Sequence, residues 1–457
     1  MKNYLKDLLK KADSEYAEIR IEKTITTRVT YAGRDLEDSS QNVSFGGNAR
    51  ALVKGAWGFT TFNSLDELES KMMDVVSHAR HIGTRRNEKL KLADVPVVNV
   101  EIPLDIRNDP SGVSLSKKVD IIGAYNSLAL NQDKQITTTS ASYFDRKRKI
   151  TYANTDGTYI SRESIDLGFG IMPIVRTAEG AFFGWVTGGS SDDFNVVLNL
   201  EDQIIKACND SIGISKAAPV KAGTYTVILD PLLAGVFIHE AFGHLSEGDN
   251  VYEDPNLQKI MVLGREFGPK HLNVADTGLD KGLRGYLPYD DEGVATERTY
   301  LIKEGKLVGR LHSRETAAKM GERPTGNARA INFQFPPIPR MRNTVIEEGG
   351  VPFDEMLKGI KEGIYCINAR GGETNGELFT FTPADAFMIR DGKLAERVRD
   401  VILTGNVFQT LKNIDMIGDD YKVKDGPGGC GKGAQFPLPT SEGSPHIRIQ
   451  NVVVGGK

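Results

Sequence analysis

Cysteine is scarce, with three in 457 residues, at positions 208, 366 and 430. Thiols this few and this far apart build no disulfide framework, and a reducing cytoplasmic compartment is the expectation. No apolar run approaches the roughly 20 residues that span a bilayer. Charges interrupt the amphipathic N-terminal stretch from Met1 to Lys10, which therefore reads as a helix rather than a signal peptide. The formal net charge is −4, which gives no electrostatic case for nucleic acid or an anionic membrane. A G-x-S-x-G elbow is absent, which excludes an α/β-hydrolase serine. The run from Gly426 to Lys432 matches most of a Walker A motif but continues with Gly433 where Ser or Thr must hold magnesium. It then runs into Gln435-Phe436-Pro437-Leu438-Pro439, which cannot open a helix, so ATP binding is excluded.

What is present is the run Ile238-His239-Glu240-Ala241-Phe242-Gly243-His244. Neutral imidazole is the commonest zinc ligand, and a glutamate directly after the first histidine is where metallopeptidases keep their general base. The histidines stand at i and i+5 rather than i and i+4. At about 100° per residue, i+5 overshoots the first face to roughly 140°, so a regular helix would point the second ring away. A π-type turn, with i→i+5 bonding, would bring His244 back over His239. Asp230-Pro231 supplies an N-cap and a first-turn proline. Leu232, Leu233, Val236, Phe237 and Ile238 then make the helix apolar on nearly every face, hence buried. Two histidines and a glutamate are costly in such a helix without partners, and a metal supplies them.

A catalytic zinc takes three protein ligands and leaves its fourth position to water. Glu247, Asp249, Asp254 and His446 are candidates for the third. Cys208 and Cys366 lie in a helix-like and a strand-like segment and read as small core residues. Cys430 sits among glycines at 426, 428, 429, 431 and 433, whose missing side chains let backbone approach a neighbouring group closely. Asp290, Asp291 and Glu292 read as a solvated acidic turn, with a cation site as the alternative. His78 and His81 read as solvent-facing.

These blocks resemble the TldD type of the TldD/PmbA metallopeptidase family. The resemblance rests on His239-Glu240 to His244 with its Glu247-Gly248-Asp249 tail, and on Asp290-Asp291-Glu292-Gly293. It also rests on Gly326-Asn327-Ala328-Arg329 leading to Pro336 through Thr344, and on Cys430-Gly431-Lys432 closing in Val454-Gly455-Gly456. It implies that His239, His244 and Cys430 bind zinc and that Glu240 is the base. It implies a homodimer, or a heterodimer with a motif-lacking TldE (PmbA)-type subunit, acting on short or unfolded peptides.

The expected fold is α+β, with an N-terminal α/β segment at 1–105 and a middle β-rich segment with flanking helices at 106–220. A β-rich, mostly antiparallel catalytic segment at 221–457 comes last and carries the buried metal helix. Helices are expected near 1–13, 65–81, 115–130 and 199–213, and strands at 16–21, 24–31, 49–53 and 56–62. Residues 301–307 and 388–394 read as two similar hairpins with Gly turns. The function expected is zinc-assisted peptide hydrolysis. Its alternatives are a regulatory or assembly subunit with a structural zinc, and a hydrolase of some non-peptide amide. Glu240 discriminates, because a structural site needs four protein ligands and no base.

Overall fold

The computed structural model describes residues 1–455, which leaves Gly456 of the C-terminal block outside the described residues. The chain is α+β. Its first half is built on one long sheet, in the order Ala56–Phe62, Asp35–Val53, Tyr16–Ala32, Thr138–Asn154, Tyr159–Thr177 and Asn99–Ile102. Two strands expected at 16–21 and 24–31 are one, Tyr16–Ala32, and its partner begins at Asp35 rather than 49. Apart from the exposed Val43, the residues from Asp38 to Ser44 are polar and hide the strand character of this outer part from a hydrophobic pattern.

Alternation along Tyr16–Ala32 divides the sheet. Ala17, Ile19 and Ile21 enter a core with Leu5, Leu8 and Leu9 of the helix Lys2–Lys10 and with Leu68, Met72 and Val75 of the helix Leu68–Gly83. The helices Leu115–Asn131 and Glu201–Lys216 pack further along, around Tyr143, Leu167 and Cys208. Glu18, Arg20 and Glu22 point to the other face, yet they are also buried. A charged face can be buried only if its charges are paired: Glu18 takes Arg50, Glu22 takes Arg20 and Arg148, and the C-terminal half adds Asp291 to Arg20 and Glu292 to Arg50.

Beside two small two-stranded sheets, Ala328–Arg329 with Ile338–Pro339 and Cys430–Lys432 with Gln435–Leu438, that half contains two larger ones. One runs Glu362–Asn375, Gly223–Leu229, Ile447–Gly455, Ile402–Asn406, Leu378–Arg390, Lys393–Arg399 and Ala218–Pro219. The other runs Lys306–Leu307, Arg298–Lys303, Val274–Thr277, Asn343–Ile346, Ser441–Ser444 and Lys422–Lys424. Most pairings are antiparallel. Both expected hairpins form, pairing Ile302 with Leu307 and Ile389 with Leu394. Their turns place Glu304-Gly305 and Asp391-Gly392 at positive φ, so turn chemistry accounts for their similarity. The helix Pro231–Ile238 lies in the core of this half, with Phe237 edge-on to Phe379 and Phe381. His78 and His81 are exposed, and Cys208 and Cys366 are buried. Among the described residues no helix is long and apolar enough to cross a membrane.

The acidic turn is not solvated, and it is not a cation site. Asp290, Asp291 and Glu292 are all buried. Asp291 takes Arg162 at 2.5 Å and Arg20 at 3.1 Å, and Glu292 takes Arg50 at 2.9 Å. Asp290 accepts the backbone N–H groups of Glu292, Val294 and Ala328. The turn is the anionic plug that joins the C-terminal half to the arginine-bearing face of the long sheet. Asp291→Ala leaves Arg20 and Arg162 buried without their shared carboxylate and should cost about 3–5 kcal/mol of stability. Denaturant unfolding reads this directly, and a loss below about 1 kcal/mol would show that the plug is dispensable.

Candidate metal centre

The helix Pro231–Ile238 starts as its sequence requires. Asp230 Oδ1 accepts the Leu233 N–H, and Pro231 occupies the first position. At His239 the helix widens. Residues His239–Gly243 form a π-helical turn, in which the His244 N–H donates to the His239 carbonyl. A short 3₁₀ turn, His244–Ser246, ends the element. The imidazole centroids are 5.4 Å apart with their planes at 89°. The extra residue of the i+5 spacing is therefore absorbed by the backbone, and both rings reach the same side. Gly243 is the last residue of the widened turn and has a φ of −58°. A Cβ there would lie 2.0 Å from Met341 Sδ, so the glycine makes room for the neighbouring chain.

Cys430 arrives from 191 residues downstream of His239 on the strand Cys430–Lys432, which pairs with Gln435–Leu438. The Walker-like run opens this hairpin and not a helix. A Cβ on Gly429 would meet the Leu438 carbonyl at 2.4 Å, so a glycine lets the two strands close. The fully buried Arg340 holds the hairpin from beneath, donating to the Cys430 carbonyl at 2.8 Å and the Gln435 carbonyl at 3.3 Å.

One potential ligand atom from each of His239, His244 and Cys430 lies within 4.8 Å of the others. Cys430 Sγ is 3.4 Å from His244 Nε2. Sulfur and nitrogen on two arms of a tetrahedral zinc stand about 3.5 Å apart, given bonds of about 2.3 and about 2.0–2.1 Å. The separation and the donor set both fit zinc. Carboxylates orient the rings, as at metal-binding histidines generally. Glu247 Oε2 is 3.1 Å from His244 Nδ1. Glu442 Oε1 is 3.4 Å from His239 Nδ1, a buried atom with no hydrogen-bond partner. Glu442 carries no signal in the sequence as a site residue. It is placed by packing alone, on the strand Ser441–Ser444 beside the metal helix.

The other candidate ligands are elsewhere engaged. Glu247 is fully buried and pairs with Lys432 at 3.1 Å, and Asp249 pairs with the same ammonium at 2.6 Å. Asp254 caps the helix Pro255–Ile260. His446 lies between Asp420, at 2.5 Å, and the Tyr365 hydroxyl, at 2.9 Å. Glu240 stands apart from these. Its side chain is 28% exposed, and Oε2 is 3.9 Å from His244 Nε2, the atom that also faces the thiol. A carboxylate in that position is beside the ion's place and open to solvent.

Family models described as PmbA/TldA metallopeptidase domain 1, central domain and C-terminal domain match residues 17–83, 108–215 and 222–456. The chain belongs to this family. A protein from Synechocystis sp. named a metalloprotease is 42% identical over 97% of this chain and 96% of its own length. A Saccharolobus solfataricus protein named a zinc metalloprotease TldD homolog is 29% identical over 98% of this chain and 99% of its own. The crystal structure of TldE from Thermococcus kodakarensis superimposes with a TM-score of 0.75 at 17% identity, covering both chains in full, and so shares the fold.

Protons compete with a metal for this cluster. Burial alone would push the His239 imidazole down, but the Cys430 thiolate and Glu442 hold it up at about 9. Burial pushes the Cys430 thiol up, but the two imidazoles pull it down to about 6. Near neutrality the metal-free cluster is therefore a thiolate with protonated imidazole, and zinc must displace protons from the histidines. Apparent zinc affinity should rise as pH climbs from about 6 toward about 9 and fall below about 6, where the thiolate is also protonated. Competition with a chelator across that range measures it, and a pH-independent affinity would show that these groups are not the ligands.

Proposed function

We propose that this member of the metallopeptidase family is a zinc-dependent peptidase that hydrolyses short or unfolded peptides, with His239, His244 and Cys430 as ligands and Glu240 as the base. The observation that carries the reading is the half-buried, solvent-accessible Glu240 carboxylate beside a cluster of three candidate ligands. Among the described residues no fourth His, Cys, Asp or Glu joins that cluster, whereas a structural zinc site is closed by four. This favours catalysis over a purely structural zinc.

Bound zinc would polarise a scissile carbonyl and lower the pKa of water toward about 7. Glu240 then takes the proton from the attacking water and returns it to the leaving amine. Glu247 and Glu442 keep the imidazoles aimed. Burial favours the neutral form of Glu247, but Lys432 and His244 hold its pKa at about 2, so its carboxylate stays charged across the working range. The three free thiols suit a reducing cytoplasm.

A dimer, with itself or with a TldE-type subunit, is part of the proposal. Supporting it, Leu378, Ile402 and Val453 lie on one face of adjacent strands and remain 63%, 42% and 49% exposed. Thr380, Thr404 and Asn406 share that face, so it would meet a partner through mixed apolar and polar contacts. Light scattering should give twice the chain mass once the partner is present, and an active monomer would contradict this part.

Glu240→Gln should keep zinc and the fold, since the carboxylate is a base and not a ligand. It should lose about 10²–10⁴-fold in peptide cleavage. His239→Ala should lose zinc and activity together. Zinc content measured beside cleavage separates the roles. Wild-type cleavage by Glu240→Gln would place the chemistry elsewhere, and loss of its zinc would make Glu240 a ligand.

A further inference from the structure

The long sheet and the cysteine hairpin enclose a cavity of about 170 Å³, more than ten times the roughly 10–15 Å³ that one water needs. Its floor is the strand pair Thr138–Asn154 and Tyr159–Thr177, where Arg146, Arg148 and Arg162 face inward. Lys147 and Lys149, between them, face out to Asp109 and Glu163. A run that reads in sequence as one basic stretch is divided by strand alternation into an outer lysine face and an inner arginine face.

The lining carboxylates Asp105, Glu163 and Asp192 are taken by Lys281, Lys149 and Arg107, and not every inward arginine finds a partner of its own. Arg162 is paired with Asp291, Arg148 lies 3.2 Å from Glu22, and Arg284 is paired with Asp166. Asp166 is the cross-strand partner of Arg146, but both of its oxygens already accept from Arg284. Arg146 is left with no hydrogen bond or ion pair among the described residues. Arg329, also on the wall, donates to the Met341 and Pro439 carbonyls and has no carboxylate partner among the described residues. Burial and the neighbouring Arg340 push its pKa down to about 9. Two guanidiniums thus line a partly desolvated cavity with no direct carboxylate contact, attracted only at longer range by Asp166 and Glu22 and by Asp291 and Asp276, so an entering anion would complete their pairing.

The cavity adjoins the hairpin that carries Cys430. Leu438 and Pro439 form its wall, and Leu438 is the strand partner of Cys430. Paired residues are about 5 Å apart at Cα, and an extended peptide advances about 3.3 Å per residue. A peptide that left the metal in extended form along this hairpin would cover that distance in about two to four residues.

We propose that this cavity is a subsite for a peptide carboxylate, bound by Arg146 with Arg329, that fixes where a short peptide is cut relative to that anion. The proposal rests on the peptidase reading above. Guanidinium binds carboxylate through paired charge-assisted hydrogen bonds, so the recognised group is either a free C-terminus or an acidic side chain.

The test compares one neutral peptide as free acid, as C-terminal amide, and as an amide ending in glutamate, on wild type, Arg146→Gln and Arg146→Lys. Wild type should show a KM for the free acid about tenfold or more below that for the plain amide. Arg146→Gln should make the two equal while keeping its zinc, and Arg146→Lys should restore part of the preference. If the glutamate amide matches the acid, the side chain is the source, and if it matches the plain amide, the terminus is. Equal KM values in wild type, or an undiminished preference in Arg146→Gln, would overturn the subsite while leaving the peptidase intact. Should no peptide be cleaved, calorimetric titration with acid and amide decides separately. Tighter binding of the acid that is lost in Arg146→Gln keeps the subsite without the peptidase, and equal binding ends it.

Discussion

The proposed metal centre depends on one hydrogen bond, the i→i+5 contact from the His244 N–H to the His239 carbonyl. A regular helix would carry His244 roughly 140° around from His239. The π turn removes that error by widening a single turn inside a core that holds it in place. Leu233, Phe237 and Ile238 fix the helix before the turn, and Phe242 and Leu245 anchor its exit. Met341 against Gly243 fills the space at the turn itself. The same packing brings Glu442 to one ring, while the chain after the turn returns Glu247 to the other.

The third donor depends on buried cations. Arg340 and Arg342 are the largest fully buried side chains. Arg340 supports the cysteine hairpin through backbone carbonyls, and Arg342 is locked on Asp276 at 2.9 Å, both fully buried. Lys432, two residues beyond Cys430, ties the hairpin back to Glu247 and so to His244. The long sheet completes the frame through Arg20, Arg50 and Arg162 on the acidic turn. The ligands thus rest on a scaffold whose interior is paired charge as much as packed hydrocarbon. Such pairs contribute little net stability but make misplacement costly, because one broken pair leaves a buried charge.

The sequence exposes some of this and conceals the rest for physical reasons. The metal helix is legible because its cap, its proline and its unbroken apolar run agree with one another. The i+5 spacing itself requires the widened turn. The hairpins at 301–307 and 388–394 are legible from their Gly turns. The outer half of the Asp35–Val53 strand is not, because both its faces are polar there and alternation carries no signal. The acidic turn misleads because three adjacent carboxylates usually face water, and the nearest in sequence of the arginines that bury them, Arg162, lies 129 residues before Asp291. Glu442 carries no local signature, and nothing in its short basic run singles Arg146 out from its neighbours. Their roles exist only once distant strands meet.

The central claim is that a π turn and a glycine-bounded cysteine deliver two nitrogens and one sulfur to a single ion. Zinc-edge X-ray absorption on the zinc-loaded protein tests it most directly. The account predicts one sulfur at about 2.3 Å and nitrogen or oxygen neighbours, two of them imidazole, at about 2.0–2.1 Å. It also predicts that the sulfur shell disappears in Cys430→Ser. A wild-type spectrum with no sulfur in the first shell, or one unchanged by Cys430→Ser, would contradict it.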